Sequence, residues 1–143
     1  MVALLDVNIL VALFDATHVQ HEAAHEWFAL NQENGWASCP LTENGFIRVV
    51  SNPAYPGRRT TLGDAIQRLR RFRESSAHWF WPDSLSLCEE IIRPAHIQGY
   101  RQLTDVYLLA LAVTKGGRLA TFDGGIPLLS VAGAEAKDMI FIG

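Results

Sequence analysis

Lysine is almost absent from this 143-residue chain: only Lys115 and Lys137 occur, so nearly all of its positive charge is arginine. Cysteine is just as scarce. Cys39 and Cys88 stand far apart without metal-type spacing, which points to two reduced thiols rather than a disulfide framework. No apolar run reaches the roughly 18 residues that a membrane-spanning helix needs. Met1 to Leu5 leads straight into Asp6 without a charged-then-apolar leader, and the expectation is a soluble, cytoplasmic protein. A Gly-x-x-x-x-Gly-Lys-Ser/Thr phosphate cradle is missing, and so are internal repeats, low-complexity tracts and linkers.

What is present is enough for one core. Hydrophobic residues make up 49% of the chain. A single domain over residues 1–143 is expected, burying about 68–70% of its unfolded surface. The formal net charge of −3 hides an uneven distribution. Arg48, Arg58, Arg59, Arg68, Arg70, Arg71 and Arg73 fall in one segment whose single acid is Asp64, so the rest of the chain is acidic.

The stretch from Leu103 to Gly125 organises the remainder. Thr104 is a candidate helix N-cap, which places Asp105 in a first turn where the helix dipole favours negative charge. From Val106 to Val113 the run is apolar on every side apart from the Tyr107 hydroxyl, the pattern of a helix buried between layers. Gly116-Gly117 ends it. Arg118 to Phe122 alternates too little for a half-exposed strand and reads as a central parallel one, with Asp123 at its carboxyl end. The same pattern opens the chain: Val2 to Leu5 is a short apolar run ending in Asp6, followed by a helical Ile9 to Phe14. Asn8 is placed to cap that helix or to orient Asp6 and a bound water.

Further along, His21 to Gln32 is expected as a helix. His18, His21 and His25 share its helical spacing, but no Cys, no Glu-x-x-His pattern and no fourth ligand supports zinc, which leaves capping, surface or packing roles. Gly35 to Ser38 reads as a strand. Pro40 starts a helix that carries Glu43 in its first turn, where it either compensates the dipole or serves the same site as Asp105. Ser51 to Arg59 is a loop and Thr60 to Glu74 a helix, whose arginines form either a solvated face or a phosphate-contacting rim. Ala77 to Trp81 is a strand with core or interface aromatics. Ser84 is expected to cap a helix that runs through Ile92 to Pro94, and Met139 to Ile142 is a last strand.

Strands alternating with helices predict an α/β fold, a three-layer α/β/α arrangement around a parallel sheet. Ligands of such folds bind beyond the carboxyl ends of the strands. Asp6 and Asp123 end two strands, and Glu43 and Asp105 open two helices that follow strands, so all four are expected at one side of the sheet. Four carboxylates there repel, by about 4 kcal/mol per pair at 4 Å and an effective dielectric of 20. Relief comes from a retained proton or from a cation, and an all-oxygen set suits Mg²⁺ or Mn²⁺ rather than zinc. The arginines point to a polyanionic chain as substrate.

The segments Leu-Leu-Asp6-Val-Asn8, Pro-Leu-Thr-Glu43-Asn-Gly-Phe-Ile-Arg48, Leu-Thr-Asp105-Val-Tyr-Leu-Leu-Ala-Leu-Ala and Gly-Arg-Leu-Ala-Thr-Phe-Asp123 together resemble the PIN-domain ribonucleases, and closely the VapC-type toxins of toxin–antitoxin pairs. The resemblance implies Mg²⁺-dependent endonucleolytic cleavage of RNA, commonly structured transfer or ribosomal RNA. It also implies a homodimer held inactive by a cognate VapB-type antitoxin. By position, Asp6 and Asp105 would be the principal metal ligands, Glu43 and Asp123 would complete the acidic pocket and help place the attacking hydroxide, and Asn8 and Thr104 would support them. Arg48, Arg58, Arg59, Arg70 and Arg71 are candidate RNA contacts.

Two other chemistries fit less well. An aspartyl-phosphate phosphatase wants a second acid where this chain has Asn8, and a phospho-receiver module wants a lysine closing a late strand. A catalytically silent PIN scaffold that only binds a partner is the remaining alternative.

Overall fold

The computed structural model describes residues 1–143. Its regular elements are β1 (Ala3–Leu5), α1 (Val7–Phe14), α2 (His21–Asn31), β2 (Trp36–Ser38), α3 (Pro40–Ser51), α4 (Leu62–Glu74), β3 (His78–Phe80), α5 (Leu103–Thr114), β4 (Arg118–Thr121) and β5 (Met139–Phe141). The five strands form one sheet in the order β3-β2-β1-β4-β5, and every pair is parallel. This is the expected three-layer α/β/α body.

Side chains alternate across a strand, so each face of the sheet carries its own core. Leu4, Ala37 and Leu119 point to the side covered by α5, where they pack with Val106 to Ala112, Trp81, Ile92 and Val131. Ala3, Leu5, Trp36 and Ala120 point the other way, against Ile9 to Val11 of α1, Phe46 and Val50 of α3, and Ala65 and Leu69 of α4. The unequal layers explain why α5 is apolar all round. It covers its face of the sheet as the one long helix there, and Leu85, Ile91, Ile97 and Leu128 pack against the same cluster.

Two glycines set close geometry. Gly116 adopts φ +70°, which lets the chain leave α5 and enter β4 at once. Gly45 brings α3 against α1 so closely that an added Cβ would lie 2.7 Å from Val7 Cγ2.

Three local expectations are corrected. Asp6, not Asn8, caps α1: its carboxylate accepts the Val7 amide, and Asn8 is exposed on the first turn. Thr104 caps nothing, because a short 3-10 turn over Tyr100–Gln102 runs directly into α5 at Leu103, with no side-chain cap. Residues 84–92 form turns rather than a helix. There the Ala132 amide donates to Ile91 O and the Arg93 amide to Ser130 O, around an antiparallel bridge between Ile92 and Val131. A helix through Ile92 would withdraw those groups from Ser130 and Ala132. No helix in the chain is long and apolar enough to cross a membrane.

Candidate active site

The parallel sheet delivers β1 and β4 side by side, with Leu5 in register with Ala120. Asp6 therefore leaves the sheet next to Thr121, one step before Phe122 and Asp123. Asp6 is only 6% exposed, and each of its oxygens has a donor. Oδ1 accepts the Val7 amide at 2.7 Å and Oδ2 accepts the Thr121 hydroxyl at 2.8 Å. The same hydroxyl accepts the Asp123 amide at 3.0 Å, so Thr121 links the two acids. Asp123 is exposed, with Oδ1 accepting the Gly125 amide at 2.8 Å.

Asp105 enters from the first turn of α5. Burial first, then the charges of Asp6 and Asp123 and a hydrogen bond with Asp123, push its carboxyl from the ordinary 3.8 up to about 7. Burial also raises Asp6, against the opposing pull of Thr121 and Val7 and with added repulsion from Asp123. These three acids form one electrostatic unit. A carboxyl raised that far keeps its proton first because it is half-buried and then because its neighbours are charged.

Glu43 stands apart from that unit. It contributes nothing to the raised values of Asp6 and Asp105. Its Oε2 accepts the Ser38 hydroxyl at 2.6 Å and the Arg73 guanidinium at 3.1 Å. Ser38 has one proton, and it goes to Glu43. The 2.7 Å contact between Ser38 Oγ and His78 Nε2 is then satisfied only by a His78 tautomer protonated at Nε2. Burial, aided by the Arg73 charge, lowers His78 to about 4, so the ring is neutral. The result is a directional chain, His78 to Ser38 to Glu43, with Arg73 as counter-ion.

Of the positions singled out from sequence, Asp6, Asp105 and Asp123 come together, and Glu43 is held in a separate network with Ser38 and Arg73. Asn8 and Thr104 are exposed, and Thr104 lines a different cavity with Leu41, Asp83 and Tyr107. Sequence reasoning missed Ser38, Thr121, Arg73 and His78 as partners of the acids. Ser38 and Thr121 carry a legible signal, since each is the polar last residue of a strand bordering the site. His78 carries none. The three histidines are absorbed structurally: His18 Nδ1 accepts the Gln20 amide at 3.0 Å, and His21 Nδ1 and His25 Nε2 bond the Ala12 and Leu13 carbonyls at the end of α1, at 2.7 and 3.2 Å.

The donor set consists of hard carboxylate oxygens, and their mutual repulsion is what a divalent cation relieves. No three acidic, histidine or cysteine side chains stand close enough to close around one ion. It is the charge balance, and not a finished ligand cage, that fits a metal.

Acids gathered at the carboxyl ends of adjacent parallel strands, in a sandwich of this connectivity, define the class. The PIN-domain model matches residues 3–132, and the chain belongs to the PIN-domain family. Within it the chain is similar to VapC proteins along nearly its full length. It is 46% identical to ribonuclease VapC44 of Mycobacterium tuberculosis over 97% of this chain and 98% of that protein. Ribonuclease VapC38 of the same species is 46% identical over 87% of this chain and 86% of its own, and ribonuclease VapC39 is 42% identical over 93% and 96%.

Proposed function

We propose that this chain is a divalent-metal-dependent endoribonuclease acting as the toxin of a toxin–antitoxin pair. The observation that carries the reading is the meeting of Asp105 with Asp6 and Asp123 at the strand ends, where burial and then their charges raise it to about 7, in a chain similar to ribonucleases over 97% of its length. Asp6 and Asp105 would be the principal ligands of Mg²⁺ or Mn²⁺, with Asp123 and Glu43 completing the pocket. When bound, the ion supplies positive charge for a phosphate oxygen and lowers the pKa of a coordinated water.

The chain's own residues do the rest. Thr121 and the Val7 amide fix Asp6 in one orientation. Asp105, raised to about 7, would hold the cation in its ionised form and lose its proton on binding. Glu43 keeps Oε2 engaged by Ser38 and Arg73, which leaves Oε1 to take a proton from the attacking water. Asn8 and Thr104 contact the substrate or bound water from the exposed rim. Arg48, Arg58, Arg59, Arg70 and Arg71 supply phosphate contacts. The protein works in the cytoplasm as a homodimer, restrained by a cognate VapB-type antitoxin.

The test is to map new RNA 5′ ends after a brief pulse of expression, beside an Asp6→Asn control, and to assay the purified proteins with Mg²⁺. New ends should appear with the wild type alone. Undiminished cleavage by Asp6→Asn or Asp105→Asn would refute the assignment.

A further inference from the structure

The Ser38 hydroxyl is the branch point of the network around Glu43, and one ring on the edge strand decides which branch it takes. Ser38 is fully buried, with Oγ 2.6 Å from Glu43 Oε2 and 2.7 Å from His78 Nε2. It has one proton to give and two neighbours able to accept it. The neutral His78 ring also has one proton to place. With that proton on Nδ1, Nε2 would be a lone pair competing with Glu43 for the hydroxyl. With the proton on Nε2, the ring donates and the hydroxyl is left to Glu43. The reverse order would put a proton on Glu43 Oε2, the oxygen that Arg73 already engages at 3.1 Å.

The ring is held in place for this. β3 begins at His78, in register with Trp36, and the two side chains pack with ring centroids 4.4 Å apart. Trp36 is fixed in turn. It is buried, its indole donates to Ser76 Oγ at 2.9 Å, and it stacks on Phe72 at 4.6 Å. Ser38 is the only hydrogen-bond partner His78 has within the chain. On the other side of the hydroxyl, Ser38 and Arg73 both engage Oε2, so Oε1 of Glu43 has no partner. Glu43, Arg73 and His78 line one cavity of about 480 Å³, so the network is open to an incoming molecule.

We propose that His78 is a positioning residue of the nuclease site: as the Nε2–H tautomer it turns the Ser38 proton onto Glu43 Oε2, which keeps Oε1 as the one free acceptor of that carboxylate. This rests on the ribonuclease reading. His78 touches neither substrate nor cation and acts through Ser38. Without its donor the hydroxyl rotates, Glu43 keeps Arg73 alone, and fewer molecules present Oε1 in the working orientation.

Three variants separate the hydrogen bond from the ring. Glutamine places its amide nitrogen at about the reach of Nε2 and still donates, whereas asparagine reaches only as far as Nδ1. Phenylalanine keeps the packing on Trp36 and donates nothing. In the full chain with Mg²⁺, His78→Asn and His78→Phe should lower kcat by about tenfold with KM within about twofold. His78→Gln should stay within about threefold of wild type. In a Ser38→Ala background each should cost less than about twofold, because the group through which the ring acts is gone. Equal losses in all three, or losses that persist beside Ser38→Ala, would mean that the ring only supports the fold, and would overturn the role. The second readout needs neither metal nor RNA. Two-bond proton–nitrogen correlation spectra of the metal-free wild type at about pH 7 should show His78 protonated at Nε2, a preference that weakens in Ser38→Ala. A wild-type ring protonated at Nδ1 would overturn the proposal outright. Wild-type protein that shows the Nε2–H tautomer yet cleaves no RNA would instead sink the ribonuclease reading.

Discussion

Replacing Asp105 by asparagine should stabilise this protein in a way that grows with pH. In the unfolded chain Asp105 titrates near 3.8, and in the fold near 7. Between those values the native state holds a proton that the unfolded state has released, so the contribution of Asp105 to stability is lost as pH rises through 7. At about 1.4 kcal/mol per tenfold change in proton affinity the full interval is worth about 4 kcal/mol. The carboxyl is only half-buried, however, and water screens part of the repulsion, so about 2 kcal/mol is the expected size. Asparagine imitates the protonated acid, since it stays neutral and still donates toward Asp123. His78 works in the opposite sense: its value falls from 6.5 to about 4, so its contribution is gained as pH rises through that window. The informative quantity is therefore the difference between variant and wild type. Urea unfolding in chelator, at about pH 4 and about pH 8, should show the Asp105→Asn advantage widening by about 2 kcal/mol. With Mg²⁺ present at the higher pH the advantage should shrink or reverse, because only the wild type carries the ionised carboxylate whose repulsion a bound cation would relieve. An advantage that stays constant across pH would refute the electrostatic account of the three acids.

Two other predictions follow from individual hydrogen bonds. Ser38→Ala removes the hydroxyl between His78 and Glu43, and should cut kcat by about 10- to 100-fold with little change in KM. In a Glu43→Gln background the same change should cost almost nothing, and additive losses in that double-mutant cycle would rule out action through Glu43. Thr121→Val deprives buried Asp6 of its 2.8 Å donor at nearly constant volume. Unfolding should then be easier by about 2 kcal/mol, as for other hydrogen bonds to charged groups, and a loss below about 0.5 kcal/mol would count against that bond.

The parts of this fold that can be read from sequence are those where burial leaves one interpretation. Val106 to Ala112 is apolar on every side because neighbours cover α5 on every side, and the acids at 6 and 123 follow strand ends because Ala3 to Leu5 and Leu119 to Thr121 are buried. Residues 84–92 mislead for the opposite reason. Leu85, Ile91 and Ile92 do face the core, as a helix would have placed them, but the Ile91 carbonyl and the Arg93 amide are claimed by Ala132 and Ser130, which no local pattern announces. Topology likewise puts Glu43 in the first turn of a helix that follows a strand, without saying that Arg73 already holds it. That pairing depends on α4 lying beside α3, a contact 30 residues away in sequence. The arginines read as one basic segment because spacing along the chain does not reveal that α4 turns Arg70 and Arg71 toward different cavities.

Every strand here is three or four residues long. The outermost two, β3 and β5, offer a newcomer too few free amides and carbonyls to be extended into a longer ladder, which protects the molecule from fibre-like stacking. What they do offer is ring surface: Trp79 is 59%, Phe80 44% and Phe141 59% exposed. A protein docking on either flank, a second copy included, must therefore settle onto aromatic side chains rather than add another strand.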